Sequence, residues 1–297
     1  MHLGITLNKT HLDTVILQDD GAFCLQPKTP IENDVVPALL AAFQSLYDSV
    51  GPARPPRRIT VVSDIAHERH VLPPHGLQSL GEIDLQTTLQ AIFNAPVSIA
   101  SPAQALGLFE SHLGVAKNSA LSCFLYLDKH ISGSVTFGTR LWRGANRIAG
   151  NWGHMPLAWP VAAETEERPC WCGRHDCLES YISADGLASD YAAVTQKSLP
   201  IEVIATAADM QDLVARSVLQ ILDDRLGRTT ASIINMFDPE MIVLGGQLAA
   251  LDRLYVNVPR KWPGYLLAAR AQTRLIRASQ TKSVLARGAA LIARNAD

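Results

Sequence analysis

Three of the chain's five cysteines, Cys170, Cys172 and Cys177, fall within eight residues, and His154 lies sixteen residues ahead of the first. Thiolate and imidazole are the ligands that a borderline-soft ion such as Zn²⁺ selects, and four of them close a tetrahedron. Cys170-Trp171-Cys172 and Cys177 can wrap a tight loop around the ion while His154 takes the fourth position. With every position filled by protein the zinc is structural, whereas a catalytic zinc would keep one position open for water. A disulfide is the competing use of these thiols; Cys-x-Cys pairs bridge poorly, and the rest of the chain reads as cytoplasmic. Cys24 and Cys123 stand far from the cluster and read as buried thiols.

The sequence around the cluster is distinctive over a longer stretch. Arg143-Gly144-Ala145-Asn146 leads through Ala149-Gly150-Asn151-Trp152-Gly153-His154-Met155 to Cys170-Trp171-Cys172-Gly173 and then Cys177-Leu178-Glu179-Ser180-Tyr181-Ile182-Ser183. Farther on come Ile234-Asn235-Met236-Phe237-Asp238-Pro239-Glu240-Met241-Ile242-Val243-Leu244-Gly245-Gly246 and Arg287-Gly288-Ala289-Ala290. In order and spacing these runs resemble the ROK family of sugar kinases and sugar-responsive repressors. The resemblance is dense from about Leu121 onward and thinner, though in register, from the start to Glu110. It implies an α/β fold of two ribonuclease-H-like, actin/hexokinase-type domains with a cleft between them. It also implies a sugar pocket whose polar groups here are Ser101, Asn151, His154 and Glu179, with the histidine shared between zinc and sugar.

Several residues depart from the family pattern. The opening Asp-x-Gly-Gly-Thr turn, which closes backbone N–H groups on ATP phosphates, reads Thr6-Leu7-Asn8-Lys9-Thr10, so two glycines have become side chains. The second phosphate turn, Gly-Thr-Gly-Ile-Gly-Gly-Gly in the family, reads Asp128-Lys129-His130-Ile131-Ser132-Gly133-Ser134. Asp128 thus carries a carboxylate where polyphosphate would sit; Lys9, Lys129 and His130 are read as solvated turn residues or, in the alternative, as binding some other anion. The nucleotide-side remnants are Thr10, Gly133, Gly245 and Gly246. The catalytic base of the kinases is the Asp of an Asn-Asp pair opening a helix; Ser101-Pro102 stands there, and proline accepts no proton. Ser101 and Pro102 instead suit an N-cap and a first helical turn. ATP with Mg²⁺ is therefore implied by the family and opposed by these residues. Asn151 replaces a sugar-binding carboxylate by an amide that still donates and accepts. Apart from its pocket role, Glu179 also reads as a capping or surface carboxylate.

Positioning these groups requires a repeated α/β plan. Residues 3–7 and 14–18 alternate like paired strands, with Asp19-Asp20-Gly21 as a turn into a third strand near Phe23. Asp34 can cap a helix carrying Val36, Leu39, Leu40, Phe43, Leu46 and Tyr47 at helical spacing. Pro52-Ala53-Arg54-Pro55-Pro56 connects it to a strand at 59–62. A loop through Pro73-Pro74-His75-Gly76, a helix near 85–93, a strand at 97–99 and the helix from Pro102 follow. Strands at 123–127 and 134–137 restart the plan. The expected domains are 1–118 with 283–297, closed by a final helix over 283–294, and 119–282 carrying the zinc loop.

At 297 residues, a chain that is 47% hydrophobic and 18% charged fits two packed cores. A formal net charge of −2 gives no basic footprint for nucleic acid, and no apolar run reaches membrane-spanning length. Three functions follow. The first is a non-catalytic pseudokinase that binds a sugar or sugar phosphate; the second is an active hexose or N-acetylhexosamine kinase with Asp64 or Asp128 as base. The third is a family regulator working without its own DNA-binding part, since the chain opens directly on a strand. By resemblance a homodimer or tetramer is expected. Trp142, Trp152, Trp159 and Trp171 are read as core residues or as a partner surface.

Overall fold

A computed structural model describes residues 1–8, 10–31, 36–50, 55–63, 85–165, 167–268 and 270–295. Lys9, Asp34, the connector residues Pro52, Ala53 and Arg54, Asp64 and the loop around Pro73-Pro74-His75-Gly76 lie outside the described residues. The chain divides into two compact units, Met1–His112 with Ser279–Asp297, and Leu113–Ala278.

In the first unit, β1 (His2–Leu7) pairs antiparallel with β2 (His11–Leu17), which pairs in turn with β3 (Phe23–Leu25) and β4 (Thr29–Pro30). β2 begins earlier than its alternation indicated, because the register Leu7↔Leu12 makes the hairpin tight. On the other side of β1 run β5 (Arg58–Val62) and then β6 (Val97–Ala100), both parallel. Helices α1 (Val36–Val50), α2 (Leu85–Phe93) and α3 (Pro102–Leu113) accompany the sheet. Leu3, Ile5, Phe43, Leu46, Ile59 and Phe93 form the core, with Phe43 and Phe93 meeting edge to face at 6.2 Å. The C-terminal helix, Val284–Asn295, lies against β1 so closely that a Cβ on Gly4 would stand 2.0 Å from the Ala286 carbonyl oxygen. On the helix itself, a Cβ on Gly288 would meet the Ala105 oxygen at 1.9 Å. Glycine is required at both positions by close approach of backbone to backbone.

The second unit repeats the plan. β7 (Leu121–Leu127), β8 (Ile131–Phe137) and β9 (Arg140–Trp142) form an antiparallel run, and β10 (Met241–Gly245) and β11 (Arg274–Arg277) continue it in parallel from β7. Each sheet therefore runs as three antiparallel strands followed by two parallel ones, and in the first unit the short β4 adds a further antiparallel pairing to β2. Helices α4 (Glu179–Ile182), α5 (Ala184–Thr195), α6 (Ile201–Asp209), α7 (Leu213–Phe237) and α8 (Arg253–Asn257) complete the unit. The long α7 starts at Asp212, whose side chain accepts the Ala215 N–H at 2.8 Å, and stops at Asp238 in the left-handed region ahead of Pro239. Among the described residues no helix is long and apolar enough to cross a membrane.

Candidate metal and ligand site

The cysteine loop and the His154 segment are joined before any ion is considered. Pro156 and Cys177 form an isolated antiparallel bridge, and the Leu178 N–H donates to the Met155 carbonyl at 2.8 Å. Within the loop, the Cys170 N–H donates to Arg174 O at 2.8 Å and the Gly173 N–H to Cys170 O at 3.0 Å, with Gly173 at φ +83° making the turn. One donor atom from each of His154, Cys170, Cys172 and Cys177 lies within 4.8 Å of the others, so the four form a group able to hold a metal ion. Cys170 Sγ stands 3.5 Å from His154 Nδ1, and Cys172 Sγ stands 3.6 Å from Cys177 Sγ. A tetrahedron with bonds of about 2.3 Å has edges of about 3.8 Å, so the donor set fits a Zn²⁺-sized ion.

Burial governs the protonation of these ligands. It pushes the Cys170 thiol up to about 11 and the Cys177 thiol higher still. At Cys172 burial acts the same way, but hydrogen bonds from the Arg174 N–H and from the neighbouring thiols overcome it and the thiol moves down. The His154 imidazole is lowered, mainly by burial, with Glu179 opposing, which favours the neutral ring that ligates metal.

With Nδ1 turned to the cysteines, the other ring nitrogen of His154, Nε2, is buried without a protein partner among the described residues. So is Oδ1 of Asn151, the residue that opens the 3₁₀ turn Trp152–His154. Glu179 is buried at the start of α4 rather than at the surface. Its Oε1 accepts from His130 Nδ1 and from Trp171 Nε1, both at 2.7 Å, and its Oε2 accepts the Ile131 N–H at 3.1 Å. Gly153 is needed beneath it, since a Cβ there would lie 2.8 Å from the Ile131 oxygen and 3.0 Å from Glu179 Oε2.

The residues read as nucleotide-side remnants are held by the protein. A Cβ on Gly133 would strike the Trp152 ring at 1.8 Å, so packing explains that glycine. Gly246, at φ +85°, sits against the Leu127 carbonyl, and Gly245 is the buried end of β10. Asp128 accepts the Lys129 N–H at 2.8 Å with Oδ1 and the Gln247 N–H at 3.3 Å with Oδ2. Its carboxylate thus occupies backbone donors on two turns. In the first unit, Thr10 is exposed and contacts His11 Nδ1 at 3.0 Å, while Thr6 is buried. Ser101 and Pro102 open α3: the Gln104 N–H donates to Ser101 Oγ at 3.2 Å and the Ser101 N–H to Gln104 Oε1 at 3.1 Å, a reciprocal cap. Pro102 is buried, and Glu110, the acid of the same helix, accepts from the Ser279 N–H at 2.6 Å and its hydroxyl at 2.9 Å.

Behind the metal loop lies a buried ionic network. Glu164 Oε1 accepts from Arg225 Nε and from an Arg228 terminal nitrogen, each at 2.8 Å. Arg225 also reaches Tyr181 O and Asp190, and Asp190 pairs with Arg168 at 2.7 Å. Burial opposes ionisation of Glu164, but the hydrogen bonds from Arg228 and Arg225 prevail and hold its carboxyl at about 2. Arg225 and Arg228, three apart on the buried face of α7, are not among the residues singled out from the sequence. One other expectation changes: Cys24 is half-buried, in contrast to Cys123. Of the tryptophans, Trp152 is buried while Trp142 and Trp159 are exposed.

The doubled sheet plan is that of the actin/hexokinase class. A ROK-family model matches residues 3–296, and the chain belongs to that family. It is similar to an N-acetylgalactosamine kinase of Shewanella sp. strain ANA-3, 27% identical over 212 residues, covering 70% of this chain and 68% of that protein. An N-acetyl-D-glucosamine kinase of Vibrio atlanticus is 28% identical over 213 residues, 70% of each chain. The crystal structure of a ROK hexokinase from Thermus thermophilus superposes with a TM-score of 0.78 at 24% identity, covering 98% of this chain and 97% of that one.

Proposed function

We propose that this chain is a zinc-stabilised ROK protein that binds an N-acetylhexosamine and does not phosphorylate it. His154, Cys170, Cys172 and Cys177 would hold the zinc, whose part is structural because all four positions come from protein. The observation that carries sugar binding is the pair of buried, unpartnered atoms on one turn, His154 Nε2 and Asn151 Oδ1. With Nδ1 on the metal, Nε2 of a neutral ring is a donor and the amide oxygen is an acceptor. Each buried orphan costs about 1–3 kcal/mol, which a sugar hydroxyl or acetamido group would offset. The N-acetylhexosamine class is supported by the names of the relatives.

Against phosphoryl transfer stands Pro102, which leaves the position of the base without a proton acceptor. The filled backbone donors at Asp128 speak against a bound nucleotide. The kinase names of the relatives favour the second reading, an ATP-dependent N-acetylhexosamine kinase with a different base; Asp64 lies outside the described residues and Asp128 is already engaged by two amides. The binding reading is tested by titrating the zinc-loaded protein with N-acetylglucosamine, N-acetylgalactosamine and glucose. Saturable binding of an acetylated sugar that Asn151→Leu abolishes, with metal content unchanged, supports it. No binding of any of the three removes it.

A further inference from the structure

We infer that His130 and Trp171 are positioning residues of the ligand site, which fix the Glu179 carboxylate and limit the hydrogen bonds it has left for a ligand. The inference rests on the sugar-binding reading, and it concerns residues outside the constellation that the family pattern supplies. A carboxylate offers about four acceptor positions on two oxygens and donates nothing. Here Oε1 takes two donors at 2.7 Å, His130 Nδ1 and Trp171 Nε1, and Oε2 takes the Ile131 N–H at 3.1 Å. Among the described residues Oε1 is saturated, and one acceptor position on Oε2 remains.

Both donors come from turns and loops, outside the regular helices and strands. His130 belongs to the turn between β7 and β8, at a position that is glycine in the pattern resembled, and its side chain is 20% exposed. Trp171 is the residue between two metal-ligand cysteines. Its ring stands edge-on to His154 at 4.6 Å and to His130 at 6.2 Å, so it lies between the metal ligand and the turn. Both line an open cavity of about 430 Å³ together with Glu179, Lys129, Arg168 and Asp185. Because Glu179 only accepts, the proton of the His130 bond is on Nδ1 and the carboxylate is locked in one rotamer. A turn whose glycines would face phosphate has become a support for the ligand-side carboxylate.

Locking a buried carboxylate before the ligand arrives removes an ordering cost from binding. Loss of either donor should weaken N-acetylglucosamine binding on the order of tenfold to a hundredfold. The test is calorimetric titration of the wild type, His130→Ala, His130→Asn and Trp171→Phe with N-acetylglucosamine, alongside zinc analysis. Weaker binding in His130→Ala and Trp171→Phe, partial recovery in His130→Asn, whose amide can replace Nδ1–H, and one zinc per chain throughout are the expected results. Variants that keep zinc and bind the sugar as tightly as the wild type would overturn the assignment while leaving sugar binding intact. A wild type that binds no sugar would overturn both.

Discussion

Glu164→Gln removes one negative charge from between two guanidinium groups and changes almost no volume. Arg225 and Arg228 side chains are 4% and 2% exposed, and Glu164 is 4% exposed, so water replaces nothing in the variant. Breaking an isolated buried pair by neutralising one partner costs about 3–5 kcal/mol; here Arg225 keeps Asp190 and Arg228 keeps Asp224, so the lower end of that range applies. The proton linkage gives a similar size. The carboxyl sits at about 2 against an ordinary 4.5, and at 1.36 kcal/mol per unit this is about 3 kcal/mol. The sign follows from the depression: the contribution is fully present above pH 4.5 and is lost as pH falls towards 2. At about 2–4 °C per kcal/mol for a unit of this size, the melting temperature should fall by roughly 10 °C at pH 7. Thermal unfolding followed by circular dichroism between pH 7 and pH 2.5 measures both effects. The variant should start lower and lose less stability than the wild type on acidification. A melting temperature within a degree or two of the wild type at pH 7, with the same acid profile, would refute the assignment of Glu164 as the ionised centre of the network.

Other perturbations separate the metal, the packing and the missing base. Cys170→Ser should lose about one zinc per chain and unfold more easily, and retention of stoichiometric zinc would remove Cys170 from the ligand set. Gly288→Ala sets a helix-propensity gain of at most about 1 kcal/mol against a backbone clash with Ala105. Overpacking typically costs about 1–3 kcal/mol, so a net loss of denaturant stability is expected, and a gain would contradict the close approach of the C-terminal helix to α3. Pro102→Asp restores an acid at the start of α3 and should leave the zinc content of the other unit unchanged, as metal analysis of the purified variant would establish.

Local signals in the sequence carried much of this structure. Ser101 and Gln104, three apart, form the cap of α3, and the periodic run at 85–93 is a helix with those limits. The clustered cysteines and His154 do converge, because a short turn and one bridge suffice to bring them together. What remained hidden depends on partners far apart in the chain. Glu179 is legible in the sequence as a pocket residue or as a capping or surface carboxylate, but the bonds that bury it are not, because its partners His130 and Ile131 are almost fifty residues away. Arg225 and Arg228 carry no local signal, since Glu164, some sixty residues earlier, is what makes their burial tolerable. Cys24, read as a buried thiol, sits half-buried on β3, the end strand of its sheet among the described residues.

The most direct measurement is calorimetric injection of N-acetylglucosamine into the zinc-loaded wild-type protein, with and without ATP and Mg²⁺ in the cell, because the same trace reports binding and turnover. A saturable isotherm that is unchanged by ATP, with the heat returning to baseline after each injection, is the expected result for sugar binding without phosphoryl transfer. Sustained heat flow that appears only when sugar and ATP are together would show that another acid replaces the missing base and that the protein is a kinase.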